Sequence, residues 1–102
     1  MSSRDSKLSL ERLRQVLRYE PETGNFYWIH RDTIKKKLGT NASIVRSHGY
    51  LNICIDSTYY YTHRLAWFYV HGEWAEVDHK NRKRWDNRIE NLVVIKKKTK
   101  DE

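Results

Sequence analysis

The chain has 102 residues, a net charge of +7 and 38% hydrophobic residues, with seven Tyr and four Trp. This length supplies one modest core rather than two, and Cys54, the single cysteine, excludes an internal disulfide and any multi-cysteine zinc site. No apolar run approaches the roughly 20 residues that span a bilayer, and the polar start MSSRDSK does not read as a signal peptide, so an intracellular chain outside the membrane is expected.

Ser9 predicts the N-cap of a helix running to about Tyr19, with Leu10, Leu13 and Leu17 on one face and Leu8 placed to staple against Leu13. Pro21 disfavours helix at Glu20, and Gly24 tolerates the positive φ of a turn, so Asn25 to Ile29 should emerge as a strand. Arg31 to Asn41 has no clear period and reads as a loop.

Ser43 to Arg46 predicts a short strand, and Ser47-His48-Gly49 a turn into Tyr50–Ile55. There Leu51, Ile53 and Ile55 alternate with Tyr50, Asn52 and Cys54, the pattern of a strand with one buried face. Asp56-Ser57 reverses the chain, and Thr58 to Tyr61 returns as a partner strand.

Thr62 is placed to cap a helix over His63 to Val70, which Gly72 would end, with Leu65, Phe68 and Tyr69 as its buried stripe. Val77 leads a strand into Asp78-His79, Leu92 to Ile95 forms the return strand, and a long basic loop joins them. KKKTKDE reads as a tail. The expected architecture is α+β in one domain, with residues 1–75 forming an N-terminal helix, a small antiparallel meander and a central packing helix, and 76–102 a ββ hairpin.

The positive charge is concentrated. Residues 80 to 100 hold nine Lys/Arg against Asp86 and Glu90, a local balance of +7, while the rest of the chain carries eleven basic and eleven acidic residues. A concentrated positive field attracts polyanions, and phosphate contacts dominate nucleic-acid affinity. Just before that segment, Asp78-His79 offers a carboxylate suited to a hard cation beside a histidine suited to accept a proton near neutral pH.

The dipeptide alone is a weak signal, but its surroundings are specific. His63-Arg64-Leu65-Ala66-Trp67, Gly72-Glu73-Trp74, Val77-Asp78-His79 and Asp86-Asn87-Arg88-Ile89-Glu90-Asn91-Leu92 together resemble the phage-type HNH endonucleases, which include homing endonucleases. The likeness extends upstream through Tyr19-Glu20-Pro21-Glu22-Thr23-Gly24 and His48-Gly49-Tyr50. The resemblance implies a ββα-metal fold, Mg²⁺ or Mn²⁺ as cofactor, and duplex DNA as partner. It matches Asp78 to the first metal ligand, His79 to the general base, and Asn91 to the amide that orients the base. Lys80, Arg82, Lys83, Arg84, Arg88, Lys96, Lys97 and Lys98 would then hold the DNA backbone.

Two departures from the family pattern stand out. Asn81 is followed by Arg82 where the family has glycine, so the loop exchanges flexibility for charge. The second metal ligand is expected nine residues after Asn91, where Lys100 stands; Asp101 reaches that place only after a one-residue register shift. A protonated ammonium cannot ligate a cation, and the final helix is expected to be truncated. Three readings follow: a DNA-binding HNH derivative with cleavage weak or lost, an active Mg²⁺-dependent nickase, and a phage protein that binds a host protein through Trp67, Tyr69 and Trp74.

Overall fold

The computed structural model describes residues 8–29, 39, 41–45 and 49–97, with Lys96 and Lys97 as backbone only. The fold is α+β. In chain order the elements are helix α1 (Leu10–Val16), strands β1 (Leu17–Glu20), β2 (Asn25–Trp28), β3 (Ile44–Val45), β4 (Leu51–Ile55) and β5 (Thr58–Tyr61), helix α2 (Thr62–His71), strand β6 (Ala75–His79), a 3₁₀ turn (Ile89–Asn91) and strand β7 (Leu92–Lys97). The strands form three small antiparallel sheets, β1-β2, β3-β4-β5 and β6-β7.

Ser9 caps α1 as expected, its side chain accepting from the Arg12 amide at 3.0 Å. The helix ends at Val16, however, and Leu17–Glu20 is strand rather than a continuing helix. The apolar face of Leu13 and Leu17 is buried in either conformation, so hydrophobic spacing does not decide between them. Cross-strand pairing does: Leu17 opposes Trp28 and Tyr19 opposes Phe26, with all four side chains in the core. The turn behind this hairpin closes with Gly24 N–H donating to the Glu20 carbonyl at 2.7 Å, at φ +80°.

The central meander forms as read. Its β4-β5 turn places Asp56 and Ser57 at φ 51° and 67°, the paired positive values that match the twist of a two-residue hairpin. Ile53 and Ile55 are buried; Asn52, expected on the open face, is buried as well. Cys54, in the same alternating set as Asn52, is half-buried. Thr62 is not the cap of α2. That position belongs to Tyr61, while Thr62 is the first helical residue, fully buried, with its hydroxyl 3.4 Å from that of Ser43. Gly72 ends the helix at φ 78°, its amide donating to the Phe68 carbonyl.

One hydrophobic core runs from Leu8 to Leu92, with α2 contributing Leu65, Ala66 and Phe68 and β6 contributing Ala75 and Val77. Trp74 stacks on Phe68 with ring centroids 4.1 Å apart, and Trp67, Tyr69 and Trp74 all pack partly buried against this core. They do not form an open aromatic surface. None of the described helices is long and apolar enough to cross a membrane. The sequence expectations for most of Arg31 to Asn41, for His48 and for the tail carrying Lys98, Lys100 and Asp101 lie outside the described residues.

Candidate phosphodiester site on the terminal hairpin

Strand β6 alternates strictly: Ala75, Val77 and His79 face the core, and Glu76 and Asp78 face outward. Asp78 and His79 therefore leave the strand on opposite sides, and the chain turns only after them. The Lys80 amide donates to the Asn91 carbonyl at 2.8 Å and the Arg82 amide to the His79 carbonyl at 3.1 Å. Asp78 Oδ1 accepts the His79 backbone N–H at 2.8 Å, which fixes the carboxylate at the strand end.

An open cleft of about 280 Å³ wraps this end, lined by Tyr50, Asp78, His79, Arg82 and Arg84. The Arg84 guanidinium lies over the Tyr50 ring at 5.0 Å. Behind the cleft, the His63 ring sits 4.9 Å from that of His79 and 5.6 Å from that of Tyr50. Burial, together with the neighbouring His79 and Arg64, pushes the His63 pKa down to about 3 although Asp78 opposes this, so His63 is neutral at physiological pH.

The loop is shaped by amides and one ion-pair cluster. Asn91 accepts from the Asn81 amide at 3.1 Å through Oδ1, and its Nδ2 donates to Asn81 Oδ1 at 3.0 Å and to the Asp86 carbonyl at 2.9 Å. Asp86 receives both Nε and a terminal nitrogen of Arg88 at 2.8 Å, and the other terminal nitrogen reaches Glu90 at 2.9 Å. Those hydrogen bonds, with one from Asn81, outweigh partial burial and hold the Asp86 carboxyl down at about 2. Arg82 takes φ 65°, the left-handed conformation a glycine adopts freely.

The predicted site residues thus divide. Asp78, His79, Arg82 and Arg84 meet at the cleft, and Lys80 and Lys83 are exposed beside it on the same loop. Arg88 is committed to Asp86 and Glu90 and braces the loop instead of facing solvent alone. Lys96 and Lys97 lie on β7. The amide on the His79 ring is that of Asn87, whose Oδ1 stands 2.7 Å from Nε2, whereas Asn91 serves the loop backbone. The sequence pattern gives Asn87 no separate role, because its contact with His79 exists only in the folded chain.

Among the described residues no cluster of three or more His, Cys, Asp or Glu side chains is placed to hold a metal. Asp78 is the one carboxylate lining the cleft. Magnesium commonly uses one or two carboxylates and completes its shell with water and substrate phosphate, so this donor set fits a cation only with phosphate present.

The hairpin thus brings a strand-end histidine and a carboxylate together beside a loop that carries exposed cations. The HNH endonuclease family pattern matches residues 60–101, from within β5 through α2, β6 and the site loop into β7 and beyond. Over this part the chain is similar to the HNH endonucleases; members of that family typically use a divalent metal, and DNA is the partner the similarity implies. The upstream likeness at Tyr19–Gly24 and His48–Tyr50 falls outside the matched residues. Neither a curated protein nor a solved structure matches the chain.

Proposed function

We propose that this protein binds duplex DNA through the β6-β7 hairpin and that cleavage at its HNH site is weak or lost. The observation that carries this reading is the lining of the cleft: two guanidiniums and one carboxylate, an arrangement that receives a phosphate more readily than a bare cation. Arg82 and Arg84 hold the scissile phosphate, Lys80 and Lys83 hold its neighbours, and the lysines of β7 and the tail, Lys96, Lys97 and Lys98, extend the track. Such contacts set position and affinity rather than sequence.

Active nicking with Mg²⁺ or Mn²⁺ is the second reading, supported by the defined environment of His79. Asp78 would hold the cation, which when bound stabilises charge on the scissile phosphate. His79 would accept the proton of the attacking water, and Asn91 would keep the strand-end turn in shape. Lys100 in the second-ligand position weighs against this reading, and Asp101 supplies a substitute only with a shifted register. Binding to a host protein loses its support, because the aromatic residues it required pack against the core.

The test is incubation of supercoiled plasmid with the protein and Mg²⁺ or Mn²⁺, alongside His79→Ala, while duplex binding is followed by anisotropy. Expected are salt-sensitive binding in both proteins and little or no nicking. Efficient nicking that disappears in His79→Ala would establish the second reading. Absence of duplex binding would sink both.

A further inference from the structure

The N-terminal hairpin and the site loop meet at Asn87. Its backbone is held from two directions: the Tyr19 hydroxyl donates to the Asn87 carbonyl, and Gly24 approaches so closely that a Cβ built there would stand 2.4 Å from the Asn87 carbonyl carbon and 2.5 Å from the Arg88 nitrogen. Only glycine fits that approach, and φ +80° independently favours it.

Tyr19 is itself immobilised. It is 5% exposed, with its ring against Phe26 at 4.7 Å and Tyr69 at 5.8 Å. Burial, reinforced by Asp86, pushes its phenol well above the usual range, so it remains a donor at any physiological pH. Asn87 is 1% exposed, and its side chain ends on His79 Nε2. An unbroken line of buried contacts therefore runs from β1 and the β1-β2 turn to the candidate base.

We propose that the β1-β2 hairpin is a positioning element for His79, in which Tyr19 and Gly24 set Asn87 so that its amide oxygen accepts the Nε2 proton and leaves Nδ1 as the basic nitrogen. The sequence of contacts supplies the chemical reason. A neutral imidazole has one donor and one acceptor nitrogen, and the hydrogen bond at one decides the character of the other. The matched HNH segment takes this support from residues outside it. The catalytic meaning of the tautomer rests on the role proposed for His79, but the tautomer itself is measurable without DNA.

The experiment is two-bond ¹H–¹⁵N correlation spectroscopy of the imidazoles in the full chain, at a pH where the rings are neutral. Wild type should show His79 with Nε2–H. Asn87→Leu should lower the ratio of Nε2–H to Nδ1–H about fivefold to tenfold, the worth of one hydrogen bond. Tyr19→Phe, a milder change that keeps the ring packing, should lower it roughly twofold or more. Asn87→Asp keeps an oxygen acceptor and should preserve Nε2–H.

The signals of His63 and His71 report in each variant that the fold is intact. Nδ1–H in wild type would overturn the proposal, since the amide would then be donating to the ring. So would an unchanged ratio in Asn87→Leu, and an unchanged ratio in Tyr19→Phe would remove the hairpin from the argument. A wild-type protein with the expected tautomer that fails to bind duplex DNA would instead refute the functional reading and leave the positioning intact.

Discussion

The sharpest consequence of the loop geometry is a division among its basic residues that salt dependence can read. Lys80, Arg82 and Lys83 are exposed, and no ion pair holds them among the described residues. Arg88, equally basic in sequence, is neutralised by bidentate contact with Asp86 at 2.8 Å and a further contact with Glu90 at 2.9 Å. Each phosphate neutralised contributes about −0.9 to the slope of log K against log salt, so three such cations contribute about −2.7. Between 50 and 200 mM salt, their share alone amounts to a roughly 40-fold loss of affinity.

Replacing Lys80, Arg82 and Lys83 together with Gln should flatten the slope by about 2.7, and Lys83→Gln alone by about 0.9. Arg88→Gln combined with Glu90→Gln removes one charge of each sign and leaves the local balance unchanged. Its slope should stay within about 0.3 of wild type, because no phosphate contact is lost. The assay is fluorescence anisotropy of a labelled duplex across a salt series. A flattening in the Arg88/Glu90 double variant as large as that in Lys83→Gln would refute the assignment of Arg88 to the loop brace.

Three further outcomes are expected. Arg82→Gly should stabilise the fold by about 1 kcal/mol in urea unfolding, because φ 65° strains any residue with a Cβ, while weakening duplex binding; a loss of stability would show that the arginine side chain supports the loop. Asn91→Ala should cost about 1–3 kcal/mol, since a buried amide tying Asn81 to Asp86 is removed, and a cost below about 0.5 kcal/mol would place the loop's stability elsewhere. His63 is held neutral at a pKa near 3 against about 6.5 when unfolded, so the unfolded chain binds more protons between these values. Native stability contributed by this residue is therefore complete above about pH 6.5 and is lost as pH falls toward about 3, and urea midpoints for His63→Phe should decline less steeply over that window.

Much of the framework was legible because local chemistry and tertiary packing agree there. Ser9 caps a helix, Gly72 ends one, and Asp56-Ser57 turns a hairpin whose alternation is plain in Ile53 and Ile55. Leu17–Glu20 departs from its helical spacing for a physical reason. Leu10, Leu13 and Leu17 satisfy helical spacing, and the competing interaction, pairing with Phe26 and Trp28, is invisible until the turn at Gly24 folds the chain back. The Asp78-His79 strand end was legible from the same alternation that places Val77 inside.

The amides of the site were harder, because two asparagines four positions apart have different jobs that no periodicity separates. Asn91 ends a 3₁₀ turn and hydrogen-bonds the backbone of the site loop, so its side chain specifies where the hairpin reverses. Asn87 sits in irregular chain with no sheet or helix to orient it, and its direction is imposed by Tyr19, 68 residues earlier. Its function depends on a contact that only tertiary structure creates. The loop thus assigns its acids and amides to shape and leaves its exposed cations for a ligand: Asp86 and Glu90 hold Arg88, Asn81 and Asn91 hold each other, and Asn87 holds His79. A loop backbone braced in this way requires little ordering when a ligand binds, which would favour the phosphate contacts proposed for its exposed cations.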